Sequence, residues 1–337
     1  MKALFIGGTG CISTAVSELA VKKGFDLYLL NRGNRSSLVP AGARTVTGDI
    51  NDRAAMTEYL KDKHFDAVID FVVYNPEQAE RDIGLFTGKT DQYIFISSVV
   101  TYQRPVGYYF VDESTPQGNP YWEYAKNKLA CEQRYIKEYQ ERGFPLTIIR
   151  PSHTYSESRI PFALNSSARP WTLIDRMLRG KPVIVPGDGT SLWTLTHSSD
   201  IAKGIVGLMG NVQAIGQPFN ITSDEVKTWD QYLQVMAQAV GVKPVIKHLS
   251  SEMICAVAPE LGPGLLGDLC RSYVVNNGKI KRFVPDYVAT MPFERGIRKS
   301  IAYFREHPDL QGIDDEWNTK IDRMVAAYDE FIEKAQK

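Results

Sequence analysis

The chain opens on an apolar run, Ala3 to Ile6, that stops at Gly7-Gly8-Thr9-Gly10. Apolar positions then recur at helical spacing from Ile12 through Ala20, closed by Gly24, and a second apolar run spans Leu27 to Leu30. Short apolar runs between turn residues read as strands buried on both faces, and the helical recurrence reads as an amphipathic helix. The same pattern predicts a strand at Arg44 to Val46 and a helix at Ala54 to Leu60. It predicts further strands at Ala67 to Val73, Tyr93 to Ser97 and Leu146 to Ile149, and a long helix at Tyr124 to Tyr139. Strands alternating with helices point to an α/β fold, a doubly wound parallel sheet covered on both faces.

The rhythm breaks after Arg150-Pro151, where Pro, Gly, Trp and Ser become frequent up to Trp193. Residues 1–151 are read as a first domain, and 197–222 as returning to it through a helix at Asp200 to Met209 and a strand at Phe219 to Ile221. Residues 152–196 and 223–337 are read as a smaller C-terminal α/β lobe, which ends on a charged amphipathic helix, Asn318 to Lys337.

A hydrophobic content of 43% with 23% charged residues predicts a packed core. Basic and acidic residues balance at 39 each, and no long basic run occurs, which argues against nucleic acid as a partner. No apolar run reaches the roughly 18 residues of a membrane span. Cys11, Cys131, Cys255 and Cys270 lack metal-ligand spacing, so free thiols in a reducing cytoplasm and no metal site are expected.

Candidate chemistry starts at the glycine loop. Between a first strand and a first helix, Gly7 and Gly10 allow a tight turn and let a pyrophosphate approach backbone N–H groups at the helix N-terminus. The position of a third glycine in the G-x-x-G-x-x-G spacing is Ser13, small enough for close helix–strand packing. The second strand ends in Asn31-Arg32-Gly33-Asn34-Arg35, without the acid that would hold an NAD ribose. Arg32 and Arg35 suit a 2′-phosphate, so NADP is expected over NAD. Solvated loop arginines are the plainer alternative. Asp49 is read either as an acceptor for the adenine amino group or as a simple turn residue.

Tyr124 and Lys128 stand four apart, on one face of a helix. A nearby ammonium and a cationic nicotinamide both favour the phenolate, so Tyr124 becomes an acid–base group for hydride chemistry. Lys128 would also bind the nicotinamide ribose. With 17 tyrosines the pattern also arises by chance, as at Tyr59 and Lys63. Tyr124 is preferred because it follows a strand ending Ile96-Ser97-Ser98, which offers hydroxyls at a sheet's carboxyl edge.

Taken together, these residues resemble the extended short-chain dehydrogenase/reductase family, the NAD(P)-dependent epimerases and dehydratases. The resemblance runs on through Gly48-Asp49-Ile50, Tyr102, Arg150-Pro151, Gly187-Asp188-Gly189-Thr190, His197 to Asp200 and Phe219-Asn220-Ile221. It implies a Rossmann-type fold and a catalytic triad of Ser98, Tyr124 and Lys128. It implies cofactor contacts from Gly7, Gly10, Cys11, Ile12, Arg32, Asp49, Ile50 and the strand end Phe71-Val72-Val73, with Arg35 added from the charge argument. His153 and Trp193 are implied near the substrate, and a helix-face homodimer is usual in the family.

Three departures qualify the resemblance. Ser13 replaces the last glycine. Val99-Val100 follow Ser98 where sugar-nucleotide dehydratases carry an acid, so water elimination lacks a second acid–base group. Trp193 stands where many nucleotide-sugar epimerases place an arginine on the substrate phosphates; Arg159, Arg169, Arg176 and Lys279 are the candidate replacements. A nucleotide-sugar epimerase acting through a transient keto intermediate is the first expectation. An NADP-dependent reductase or dehydrogenase of a non-nucleotide alcohol or ketone is the second. The C-terminal half also resembles a subgroup related to chloroplast stem-loop-binding proteins, so a non-catalytic RNA- or partner-binding role is the third.

Overall fold

The first strand, β1 (Lys2–Ile6), can lie at the middle of a sheet because its side chains find apolar layers on both sides. Ala3 and Phe5 join Val16, Ala20 and Ile205, while Leu4 and Ile6 join Met56, Leu60 and Phe86. The computed structural model describes all 337 residues.

The remaining strands of this sheet are β2 (Asp26–Asn31), β3 (Arg44–Thr47), β4 (Ala67–Asp70), β5 (Tyr93–Ile96), β6 (Leu146–Pro151) and β7 (Gln217–Ile221). All neighbours are parallel, in the order β7-β6-β5-β4-β1-β2-β3. Helices α1 (Cys11–Lys22) and α5 (Ser198–Leu208) cover one face; α2 (Arg53–Leu60), α3 (Pro76–Phe86) and α4 (Glu123–Arg142) cover the other. This is the Rossmann-type, doubly wound α/β fold. The winding reverses between β1 and β4, which opens a crevice at the carboxyl edge of the sheet.

Two elements differ from the apolar pattern. The expected strand Ala67 to Val73 stops at Asp70, because the Asp70 carboxylate turns back to accept the Val72 N–H at 2.6 Å. Helix α3 has no counterpart in the apolar reading. Asn75 caps it by accepting the Gln78 N–H at 3.0 Å, and Pro76 starts it. Its buried face carries Arg81 and Asp82, which breaks the apolar period. Arg81 donates to Asp82 at 2.7 Å and to Asp70 at 3.2 Å, and Tyr93 donates to Asp82, so each of these buried groups has a hydrogen-bond partner.

A second core, around Trp171, Trp193, Trp229, Tyr232 and Phe293, joins residues of the C-terminal half to Val99, Tyr102 and Val111. Two short parallel pairs frame it, His153–Tyr155 with Leu195–His197 and Pro182–Pro186 with Val245–Leu249. The last helix, Asp315–Ala335, packs through Ile321 and Met324 onto a smaller cluster. No helix is long and apolar enough to cross a membrane.

Candidate active site

At the carboxyl ends of these strands lies a cleft of about 1080 Å³. Its floor is the loop between β1 and α1. Gly7 holds φ +79°, and a Cβ there would lie 2.6 Å from Val72 Cγ1, so the close approach of this loop to the turn after β4 requires glycine. Ser13 does more than fill the place of a third glycine. Its hydroxyl donates to the Gly7 carbonyl and accepts the Gly10 N–H, both at 2.7 Å, and so fixes the loop from within. Gly7, Gly10, Cys11 and Ile12 line the cleft, as do Arg32, Arg35, Asp49, Ile50, Phe71 and Val72.

Val73 does not line it. Its side chain is buried in the layer beneath α2 and α3, and only its carbonyl takes part, as an acceptor for Lys128. The shortened β4 explains this, since the chain has already turned inward.

A dinucleotide fits the donor set at this end. Asn31, at the tip of β2, lines the cleft with a buried side-chain N–H that has no partner, while its oxygen accepts the Gly33 N–H at 2.9 Å. Arg35 reaches across to the Thr9 carbonyl at 3.4 Å. Asp49 accepts the backbone and side-chain N–H groups of Asn51 at 2.9 and 3.0 Å. Arg81 in turn donates to Asn51 at 2.6 Å and lines the cleft itself, a residue the sequence reading missed.

Ser98, Tyr124 and Lys128 meet at the other end. The Ser98 hydroxyl caps a short turn by accepting the Val100 N–H at 3.3 Å. Lys128 is 3% exposed. Its ammonium donates to the Val73 carbonyl at 2.6 Å and the Ile96 carbonyl at 2.8 Å, and it lies 5.8 Å from the centre of the Tyr124 ring. Burial pushes Lys128 down to about 8 and Tyr124 up to about 12. The chain's own groups therefore hold Tyr124 as a phenol, contrary to a simple lowering by its neighbour. Tyr59 and Lys63 lie outside the cleft; Lys63 donates to the Tyr59 carbonyl at 2.7 Å, and the Tyr59 hydroxyl is buried without a partner.

Behind Ser98 a buried network fixes β5 to its neighbours. Ser97 donates to Glu132, which is 0% exposed. Arg150 grips Glu132 at 3.0 and 2.5 Å and donates to the Tyr102 hydroxyl at 3.1 Å; Tyr102 donates to Asn220 at 2.7 Å.

On the substrate side, His153 lines the cleft, and burial pushes its imidazole down to about 3, so it is neutral. Trp193 is a correction. It is 1% exposed and sits behind His153, with ring centres 6.5 Å apart, packed on Trp229 and Tyr273 in the second core. The four candidate cations separate cleanly. Arg176 is tied to Asp322 at 2.6 Å and to the Pro182 carbonyl at 2.8 Å, and Lys279 donates to the Pro218 carbonyl at 2.9 Å. Arg169 packs beside Gly312. Of the four, Arg159 alone lines the cleft, and its guanidinium makes no ion pair or hydrogen bond within the chain. Tyr74, Trp122, Phe162 and Asp268 are among the lining residues that were not singled out from the sequence.

Residues 3–87 and 84–222 match the NAD dependent epimerase/dehydratase family. The chain belongs to that family. It is therefore an NAD(P)-dependent enzyme of the extended short-chain dehydrogenase type. A chloroplast stem-loop binding protein of Arabidopsis thaliana is 27% identical over 73% of this chain and 65% of its own length. A 2'-dehydrokanamycin reductase of Streptomyces kanamyceticus is 24% identical over 72% of this chain and 67% of its own length. Among solved structures, a UDP-glucuronic acid 4-epimerase from Bacillus cereus, in complex with UDP-glucuronic acid and NAD, superposes with a TM-score of 0.73 at 20% identity, covering 91% of this chain and 99% of that one. That likeness establishes the fold.

Proposed function

We propose that this enzyme is a nucleotide-sugar epimerase that works through a transient keto sugar, with NADP as its preferred cofactor. The observation that carries the reading is the convergence of Ser98, Tyr124 and Lys128 on one cleft whose substrate side offers Arg159 as a free cation. A bound nicotinamide supplies the site that accepts and returns hydride. Ser98 hydrogen-bonds the reacting carbinol oxygen, and Tyr124 removes its proton and later restores it. Lys128 spends two of its three donors on the Val73 and Ile96 carbonyls, which leaves one for the phenolate or the nicotinamide ribose. Arg159 pairs with the diphosphate. Neutral His153 offers the sugar a polar edge without charge. Arg32 and Arg35 line the adenosine end and suit a 2′-phosphate.

One observation favours a second reading. A single free cation is modest for a diphosphate, which suits a reductase of a non-nucleotide ketone, and a reductase is among the relatives at similar coverage. Incubation with UDP-glucose separates the two. Appearance of UDP-galactose without net cofactor consumption, with a KM raised at least tenfold by Arg159→Ala, supports the epimerase. No turnover of UDP-glucose, together with stoichiometric NADPH consumption on a simple ketone, replaces it with the reductase.

A further inference from the structure

The C-terminal lobe brings one carboxylate to the reacting end of the cleft. Asp268 lies in a π-helical turn, Leu265–Leu269, a geometry that recurs at functional sites because it displaces one side chain from the regular helical path. The turn is pinned on both sides of the catalytic groups. Asn119 donates to the Gly267 carbonyl at 2.7 Å, and Gly267 abuts Trp122, two residues before Tyr124. Tyr273 donates to the Val99 carbonyl at 2.7 Å, one residue after Ser98.

Arg104 holds the carboxylate in place. Its guanidinium stacks 3.8 Å from the centre of the Tyr273 ring and donates to Asp268 Oδ1 at 3.3 Å, with further donations to the Tyr102 and Gln103 carbonyls. Arg104 is not part of the cleft lining, whereas Asp268 is. Oδ1 is thus engaged from behind, and Oδ2 accepts no hydrogen bond from the chain. Burial pushes the carboxyl up to about 6 against the pull of Arg104, so the carboxylate persists at neutral pH.

We infer that Asp268 determines substrate specificity: its cleft-facing oxygen selects a sugar that presents a hydroxyl or ammonium donor at the reacting end and rejects one that presents a carboxylate there. This rests on the nucleotide-sugar reading and sharpens it to neutral or amino sugars rather than uronic acids. A donor gains a charge-assisted hydrogen bond, whereas a substrate carboxylate meets like charge in a partly desolvated space.

UDP-glucose and UDP-glucuronic acid differ only at C6, hydroxymethyl against carboxylate, and are the probes. Their dissociation constants are measured by calorimetry on the cofactor-loaded enzyme, for wild type, Asp268→Asn and the charge-retaining Asp268→Glu. Wild type should bind UDP-glucose at least tenfold more tightly; Asp268→Asn should bring the two within about threefold, and Asp268→Glu should keep the preference. Equal binding of the two by wild type, or a preference for UDP-glucuronic acid, overturns the inference even if Asp268→Asn does not fold. An unchanged ratio in a folded Asp268→Asn overturns it as well. If wild type binds neither sugar nucleotide while still binding dinucleotide, the nucleotide-sugar reading fails for uridine sugars and this inference is overturned with it.

Discussion

Replacing Lys128 with methionine tests how Tyr124 is activated, and the structure sets the size of the effect. Tyr124 is held at about 12 and Lys128 at about 8, both chiefly by burial. In the chain alone the ammonium therefore loses its proton before the phenol does, and it lends the phenolate nothing. Catalysis near neutral pH requires the reverse order. Moving Tyr124 from about 12 to about 7 takes about 7 kcal/mol, at 1.36 kcal/mol for each unit. The Lys128 charge, 5.8 Å from the ring centre, contributes about 3 kcal/mol at an effective dielectric of about 20. That is about two pK units, and the positive ring of an oxidised nicotinamide must supply the remainder. Lys128→Met should thus raise the Tyr124 pKa by about two units in the complex with oxidised dinucleotide and leave it near 12 in the chain alone. Tyrosine labelled with carbon-13 at Cζ reports the phenolate by its chemical shift, and Tyr124→Phe assigns the resonance among the 17 tyrosines. A shift below about half a unit in the complex, or an equal shift in both states, would refute the argument.

The other predictions concern proton transfer, cofactor choice and the network behind Ser98. Tyr124→Phe should lower kcat by about 10²–10⁴ while leaving the dinucleotide Kd within about twofold, measured by steady-state kinetics and fluorescence titration. Tyr59→Phe should be neutral or slightly stabilising, because the hydroxyl it removes is buried without a partner. Arg32→Ala should weaken NADP binding at least tenfold and NAD binding by less than about twofold; parallel losses would assign Arg32 to both cofactors. Glu132→Leu should cost about 3–5 kcal/mol in urea unfolding by stranding Arg150, and the double variant Glu132→Leu/Arg150→Met should recover most of that loss.

The sheet was legible because a parallel strand buried on both faces leaves a mark that little else leaves. Ala3 to Ile6 is apolar at every position since each face meets a helix layer. Helix α3 left no such mark. Its inward positions hold Arg81 and Asp82, which pair with each other and with Asn51, Asp70 and Tyr93, residues from other parts of the sheet domain. An apolar-period reading has no means of scoring a charge whose partner lies elsewhere in the chain. The Asn75-Pro76 start was the available signal, a cap followed by proline at the first helical position. The misplaced end of β4 has the same origin. Phe71, Val72 and Val73 look like strand continuation, yet Asp70 claims the Val72 N–H and ends the ladder.

The two ends of the cleft differ in legibility for a topological reason. Gly7, Gly10, Asp49, Ser98 and Tyr124 sit on or next to loops that leave the carboxyl ends of the parallel strands β1, β3 and β5, so the parallel order alone puts them on one edge. The substrate side is assembled from segments with no such rule. Arg159 follows the first strand of a two-stranded pair, and Asp268 comes from a π-helical turn more than a hundred residues later. Trp193 shows the hazard of carrying a position over by motif. An indole, standing where the resemblance implied a phosphate-binding arginine, has no charge to keep at the surface, and its large apolar area favours the core beside Trp229. On the proposed nucleotide-sugar reading the cation comes from another segment, and Arg159 is the candidate that lines the cleft, while Arg176 and Lys279 are already committed to structure.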